Sequence, residues 1–342
     1  MRFPRTAAVA ALAVTLALAG CGSSGSSDKK NTGDANKPLD KVHYATGFGM
    51  FGREAYIYVG IKKGFFKDAG IDVDVKPGAG TSETTKLVAG GQIDFAPVDF
   101  TGELILLGSG KATGITALAA IHQRTLAGVM TLEGRGISSP KDLEGKTFGD
   151  SPNSTTTLMF PTYAKLANID PNKVKIVNFT PPQLPAMLAA GKVDVIGQFA
   201  VGKPTIEKAA GGKKAVFLAY SDYLTDLYGN ALVTRSQMVK DNPDLVKRFI
   251  GALMKSLQWS IDHPDEAGQI LHEYQPQQDP TTAAAEMTLM ASYVRSSSSG
   301  VPVGAFDQQR VARSIAILQA AGAIKQGLTP DQVVDFDLAP KG

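Results

Sequence analysis

The sequence predicts an α/β protein made of two similar lobes that the chain crosses twice, and three observations carry that expectation. From Val42 onward, short runs rich in β-branched residues alternate with helical patterns, the signature of mainly parallel strands. The same strand, helix, strand, helix, strand order then returns. Its clearest echo is LVAGGQIDF at residues 87–95 against MLAAGKVDV at residues 187–195, which puts Gly91 and Gly191 100 positions apart. Beyond Thr234 the chain reads almost wholly helical.

The N-terminus reads as an address. Arg2 and Arg5 precede an apolar run over residues 7–19 and then Leu18-Ala19-Gly20-Cys21, a secretory signal ending in a lipobox. That run falls short of the roughly 20 residues a membrane-spanning helix needs. Residues 1–20 are therefore expected to be a lipoprotein signal peptide, and Cys21 the lipidated residue. Residues 21–40 hold Gly, Ser, Asn, Asp and Lys with too little apolar surface to form a core, and are expected to be a flexible tether. The protein is expected to be extracytoplasmic, lipid-anchored to the cell membrane. Composition narrows its chemistry further: 35 Lys and Arg against 32 Asp and Glu give +3, and +1 without Arg2 and Arg5. Such a balance leaves no electrostatic footprint for nucleic acid. With Cys21 the only cysteine, neither an intrachain disulfide nor a cysteine metal cluster is possible.

Strands are expected at residues 42–46, 71–75 and 93–98, with helices at 55–63, where Gly64 stops the turn, and at 81–89. The second set follows as strand 147–149, helix 155–167, strand 174–177, helix 184–190 and strand 193–196. Asp94 and Asp194, each at a strand entrance, read as turn-forming residues. A strand at 231–234 comes next, then a helix announced by Asp241-Asn242-Pro243, with Leu245, Phe249, Leu253, Leu257 and Ile261 as its apolar stripe. Pro264 starts another helix, residues 296–300 form a loop, and residues 308–321 a further helix. Lobe 1 is expected to comprise residues 41–128 and 231–342, and lobe 2 residues 129–230. Residues 127–131 and 230–234 are expected to cross between the lobes as paired hinge strands.

Several motifs suggest catalysis and fail on their spacing. Gly47-Phe48-Gly49-Met50-Phe51-Gly52 matches G-x-G-x-x-G, with Asp74 near the place of a ribose-binding acid. Its bulky aromatic residues nevertheless sit in a turn that would have to hug pyrophosphate. Gly145-Lys146-Thr147 ends like a phosphate loop, but Pro140 stands where the first glycine belongs. The histidines, His43, His122, His263 and His272, show no paired metal spacing and read as solvated or capping residues. No serine occupies a G-x-S-x-G elbow. No catalytic residues, metal or cofactor are expected, and the chain reads as a binder rather than an enzyme.

Family-like text begins at Tyr58-Val59-Gly60-x-x-Lys63-Gly64-Phe65-Phe66 and Gly70-Ile71-Asp72-Val73. It continues through residues 86–94, Gln123-Arg124, residues 140–147, Gly191-Lys192-Val193-Asp194, Tyr228-Gly229-Asn230 and residues 242–249. As an ordered series this resembles the solute-binding proteins of ABC importers that take thiamine-pyrimidine precursors, a branch related to the sulfonate, nitrate and taurine binders. The resemblance implies a two-lobed periplasmic-binding-protein type II fold with two hinge crossings. It also implies a monomer that closes on a small molecule and delivers it to a permease and its ATPase. Ligands of open α/β sheets bind beyond the carboxyl ends of the strands, which selects the loops here. Phe48, Phe51 and Phe199 are expected to sandwich a flat ring, with Tyr228 nearby. Ser82 and Ser154 begin helices whose free N–H groups take an anion or carbonyl, though both also read as plain N-caps. Asp99, Gln123, Asn153, Gln198, Asp222 and Asn230 are expected to fix polar edges. The pyrimidine binders resemble one another in an Asn and His signature just before the Tyr-Val helix, where this chain has Arg53-Glu54. Glu54 or Asp99 is then the carboxylate for an aminopyrimidine, whereas a sulfonate or nitrate would use Arg53 and helix N-termini. The expected ligand is a thiamine-type aminopyrimidine precursor, with a sulfonate, taurine or nitrate as the alternative. The rival from another class is the eukaryotic pyrimidine-precursor synthase, which resembles these binders in fold but carries a cysteine-rich motif this chain lacks.

Overall fold

The computed structural model describes residues 38–341 apart from 153, 225, 297–299 and 326; the signal, Cys21, most of the tether and Asn153 lie outside the described residues. Three strands alternating with helices open the fold: β1 (Asp40–Ala45), β2 (Ile71–Lys76) and β3 (Ala96–Asp99). After them come β4 (Ile115–Ala120), β5 (Ala127–Leu132), β6 (Thr147–Asp150), β7 (Lys175–Asn178), β8 (Val195–Phe199), β9 (Ala215–Ala219) and β10 (Asn230–Arg235).

The strands fall into two groups with one plan, the first a two-stranded and a three-stranded sheet linked by one bridge and the second a single five-stranded sheet. In the first, β2 pairs with β1 in parallel, a bridge from Tyr44 to Phe95 joins β1 to the β3 side, and β3, β10 and β4 follow, with β10 antiparallel to both neighbours. In the second, the order is β7, β6, β8, β5, β9, with β5 antiparallel to both neighbours. The repeat read from sequence is thus a repeat of topology. Its aspartates do the same job twice: Asp94 accepts the His43 N–H at 2.9 Å and Asp194 the Thr147 N–H at 2.7 Å, each clipping one strand to the entrance of the next.

The hinge expectation needs correction. Residues 127–131 and 230–234 do not pair with each other; β5 and β10 are the antiparallel strands of opposite sheets. A hydrophobic strand announces burial but not its partner, so sequence could not tell the two arrangements apart. The crossings lie just before these strands. The Thr125 N–H donates to the Leu227 carbonyl at 2.9 Å, the Gly229 N–H to His122 at 3.2 Å and the His122 N–H to Asn230 at 3.0 Å.

The helices follow their sequence signals closely, with Ala55–Lys62, Thr81–Ala89, Thr155–Leu166 and Gln308–Ala320 near the expected bounds. The helices Phe65–Asp68, Phe100–Gly108 and Lys203–Ala209 were not expected. Strand entry was placed too early at β3 and β8, because Ile93 and Val193 are buried turn residues that read as strand. Pro243–Asp262 lays its stripe beneath the first sheet, where the Phe249 ring stacks on Phe95 with centroids 4.2 Å apart and on Phe66 at 5.3 Å. Asn242 makes no side-chain cap there. Its Nδ2 instead approaches Met238 Sδ at 3.6 Å, so the proline at N1 alone marks the helix start. Among the described residues no helix is long and apolar enough to cross a membrane.

Candidate functional site

Carboxyl ends of strands from both sheets meet around one cavity. The first sheet contributes the loop after β1, with Gly47, Phe48, Arg53 and Glu54, together with Gly80 and Thr81, Asp99 at the end of β3 and Asn230 at the start of β10. The second contributes Ser154, Thr155 and Thr156 after β6 and Gly197, Gln198 and Phe199 at the end of β8. Gly197 is required there, because a β-carbon would overlap the Asp150 carboxylate and the Thr156 hydroxyl. Gly80, with φ of +101°, lets the chain turn into the helix Thr81–Ala89. The two sides touch directly: the Thr81 and Thr155 hydroxyls share a hydrogen bond of 2.6 Å across the gap.

Of the expected site residues, Phe48, Glu54, Asp99, Ser154, Gln198, Phe199 and Asn230 come together on this wall. Phe51 is buried just behind it, its ring 6.3 Å from that of Phe48. Ser82 lies one residue inside its helix and is buried; Gly80 is the N-cap and Thr81 supplies the hydroxyl at the cavity.

Three further expected residues lie away from the cavity. Gln123 Nε2 donates to the Ala305 carbonyl at 2.9 Å, fastening a crossing segment to the C-terminal part of the chain. Tyr228 packs edge-on against Phe100 and Phe306, and its hydroxyl accepts the Asp307 N–H at 2.9 Å. Asp222 is exposed in the turn after β9. All three belong to segments adjoining strand ends, which is why a loop rule selected them. Residues missed from sequence are Thr81 and the buried acid Asp150, both within the strand-end loops but passed over for the serines beside them, and Thr155, one residue past its loop.

The electrostatics of the wall follow from burial. Asp99 caps the helix Phe100–Gly108, its Oδ1 accepting the Gly102 N–H at 2.9 Å, while Oδ2 is buried without a hydrogen-bond partner. Burial raises its pKa to about 7, against the lowering effect of the backbone N–H groups of Gly102 and Thr101. Burial likewise raises Glu54 to about 7, opposed by the Arg53 charge. Behind it the hydroxyl of Tyr56 donates to Glu54 at 3.4 Å and lies 3.1 Å from that of Tyr44. On the facing side Asp150 is raised to about 6 by burial, although Ser154 donates to it at 2.6 Å and Thr156 also donates. Ser154 also accepts the Thr157 N–H, so it is both an N-cap and a support for Asp150. His122, expected to be solvated, is buried at the crossing: its Nδ1 accepts the Asn230 N–H at 3.2 Å, and desolvation lowers its pKa to about 3. Among the described residues no group of three His, Cys, Asp or Glu is placed to hold a metal.

The arrangement offers ring faces from Phe48 and Phe199, hydrogen-bond acceptors from Asp99 and Glu54, and the guanidinium of Arg53. Comparison with known proteins places the chain among relatives. It is 26% identical over 267 residues to a formylaminopyrimidine-binding protein of Halalkalibacterium halodurans, covering 77% of each. A 4-amino-5-hydroxymethyl-2-methylpyrimidine phosphate synthase of Legionella pneumophila is 26% identical over 227 residues, covering 65% of this chain and 69% of the synthase. The fold superposes on the alkanesulfonate-binding protein SsuA from Xanthomonas axonopodis pv. citri with a TM-score of 0.67 and 13% identity, covering 86% of this chain and 97% of that one. The periplasmic nitrate-binding protein NrtA from Synechocystis gives a TM-score of 0.67 with 16% identity, over 88% of this chain and 87% of NrtA. The NMT1/THI5 like family model matches residues 53–267, and with that match spanning more than half of its length the chain, which has the two-lobed periplasmic-binding-protein fold, belongs to the NMT1/THI5-like family.

Proposed function

We propose that this chain is the extracytoplasmic solute-binding component of an ABC importer, held to the membrane through a lipid on Cys21. It captures a small flat amino-substituted heterocycle, of the thiamine-type aminopyrimidine class, between its lobes and passes it to a permease. Lobe 1 is residues 41–128 with 231–342 and lobe 2 residues 129–230, the divisions falling close to the two crossing segments. The observation that carries the ligand class is Asp99. Its Oδ2 is a buried acceptor with no partner, in a wall that also holds the Phe48 and Phe199 rings. An amino group beside a ring nitrogen pairs with a carboxyl edge while the ring stacks. The formylaminopyrimidine-binding relative supports this reading. A second reading, an alkanesulfonate or nitrate, draws on Arg53 and on the facing helix starts at Thr81 and Thr155. The carboxyls of Glu54 and Asp99 on the same wall oppose an anion. A synthase of the eukaryotic kind is disfavoured because its cysteine-rich motif has no counterpart in a chain whose only cysteine is Cys21.

Native mass spectrometry of protein freshly extracted from its own membranes tests the proposal. A bound nitrogen heterocycle, one per chain, is expected. A sulfonate or nitrate carried in its place refutes the ligand class.

A further inference from the structure

Away from the cavity, one buried acid is shared by both lobes. Glu286 lies on the helix Pro280–Val294 of lobe 1 and has no exposed surface. Its Oε2 accepts the Arg53 backbone N–H at 3.0 Å, in the loop that carries Phe48 and Glu54 to the cavity. Its Oε1 accepts the hydroxyl of Thr205, a half-buried residue of the helix Lys203–Ala209 in lobe 2. Burial disfavours the charge on Glu286, and the Arg53 guanidinium, the Thr205 hydroxyl and the backbone N–H groups of Arg53 and Gly52 offset that cost. Two further contacts join the same helices. Val201, in the turn Ala200–Gly202 after β8, is fully buried in the apolar cluster that includes Leu126, Ala283 and Met287. Lys208 Nζ lies 2.9 Å from Oδ2 of Asp279, the N-cap of Pro280–Val294. The loop backbone rests on this helix as well, because a β-carbon at Gly52 would stand 2.4 Å from the Ala283 Cα.

The geometry points to Glu286 as a positioning residue, a clasp that joins the Gly52–Glu54 loop to Thr205 of lobe 2 and so couples the cavity wall to lobe closure. The inference rests on the two-lobed reading of the chain and is independent of the ligand class. Neither Glu286 nor Thr205 lines the cavity, so both act through the loop. Of the three contacts, Val201 supplies apolar burial without direction. The Lys208 side chain is 55% exposed, so its ion pair with Asp279 contributes little. The bond from Thr205 to Glu286 is directional, involves a charged acceptor and is shielded from water, which makes it the contact that sets the register of the two helices. When the lobes part, Thr205 withdraws and Glu286 loses one of its buried donors. The acid holding the loop then has its full set of protein partners only in the closed arrangement.

The test is stopped-flow binding of 4-amino-5-hydroxymethyl-2-methylpyrimidine to the mature wild type, Thr205→Val and Thr205→Ser. Valine keeps the shape of threonine and removes only the donor, whereas serine keeps the donor. Thr205→Val is expected to release the probe about tenfold faster, the usual worth of a hydrogen bond to a charged group, with association changed by no more than about twofold. Thr205→Ser is expected to restore slow release, which a merely local packing role for the threonine methyl would not do. Should the valine variant fail to fold, Thr205→Ala serves for the same rates. Release at the wild-type rate, a loss confined to association, or a serine variant that behaves like valine overturns the clasp. If the wild type does not bind the pyrimidine, the ligand class falls, and hydrogen exchange in the ligand-free protein decides the clasp. There the Gly52 and Arg53 amides should exchange at least about threefold faster in Thr205→Val than in the wild type. Equal exchange at those two amides overturns it.

Discussion

Replacing Asp99 by asparagine separates recognition from folding in a single atom. The Oδ1 of Asp99 caps the helix Phe100–Gly108 through the Gly102 N–H, and asparagine keeps a carbonyl oxygen for that bond and is as good an N-cap. What changes is the other position, where the unpartnered, buried Oδ2 becomes an amide N–H₂ on a residue that lines the cavity. An amino heterocycle then loses a charge-assisted hydrogen bond, worth about 1.5 to 3 kcal/mol, and meets a donor where it needs an acceptor. Affinity should fall roughly 10- to 150-fold. Stability should not fall, because a buried carboxyl with a pKa near 7 is replaced by a neutral group of the same shape. Titration calorimetry and a thermal melt on the same preparation read both quantities. An Asp99→Asn protein that melts normally and binds an aminopyrimidine as tightly as the wild type would refute the assignment of Asp99 as the recognising carboxyl.

Three further outcomes follow from the same structure. Phe199→Ala removes a half-buried ring face from the cavity wall and should weaken ligand binding at least about tenfold by calorimetry, allowing for partial relaxation of the 3 to 5 kcal/mol typical of buried phenylalanines; unchanged affinity would exclude stacking there. The ligand-free protein should lose stability as the pH rises from 6 to 8. Glu54, Asp99 and Glu103 have folded pKa values of about 7, above their unfolded values near 4, so the native state holds protons there that the unfolded chain has released. Each such carboxyl costs on the order of 1 kcal/mol over that interval, and His122, lowered to about 3, acts in the opposite direction mainly below its unfolded pKa near 6.5. Urea unfolding at the two pH values measures the difference, and a rise toward pH 8 would contradict it. Cys21→Ser should move the protein from the membrane pellet to the soluble extracytoplasmic fraction, and unchanged retention in detergent-free fractionation would exclude the lipid anchor.

The elements were legible where local chemistry decides them. Glycine stops such as Gly64, Gly91 and Gly191, each with positive φ, ended helices as their sequence context indicated, and the 100-residue echo marked a genuine repeat of topology. Long-range partnership was not legible. Nothing in the apolar runs of β5 and β10 says that each completes a different sheet, and nothing around His122 says that it is buried at the crossing. The same limit shaped the site. Residues immediately at strand ends, such as Asp99, Gln198 and Phe199, were found by rule. Tyr228 and Gln123 belong to the crossing, where packing against Phe306 and Ala305, almost 80 and more than 180 residues away, takes their side chains from the cavity. Arg53 stood in the sequence as a candidate for an anion site, and only three-dimensional packing shows it buried among the Phe48, Phe51 and Phe199 rings.

The central claim is that this cavity binds a flat amino heterocycle. Titration calorimetry of the mature wild-type protein against aminopyrimidines and, separately, against taurine, alkanesulfonates and nitrate tests it most directly. Saturable heat at one ligand per chain with an aminopyrimidine, and none with the anions, is the predicted result. Micromolar binding of an alkanesulfonate or nitrate with no response to the pyrimidines would contradict it.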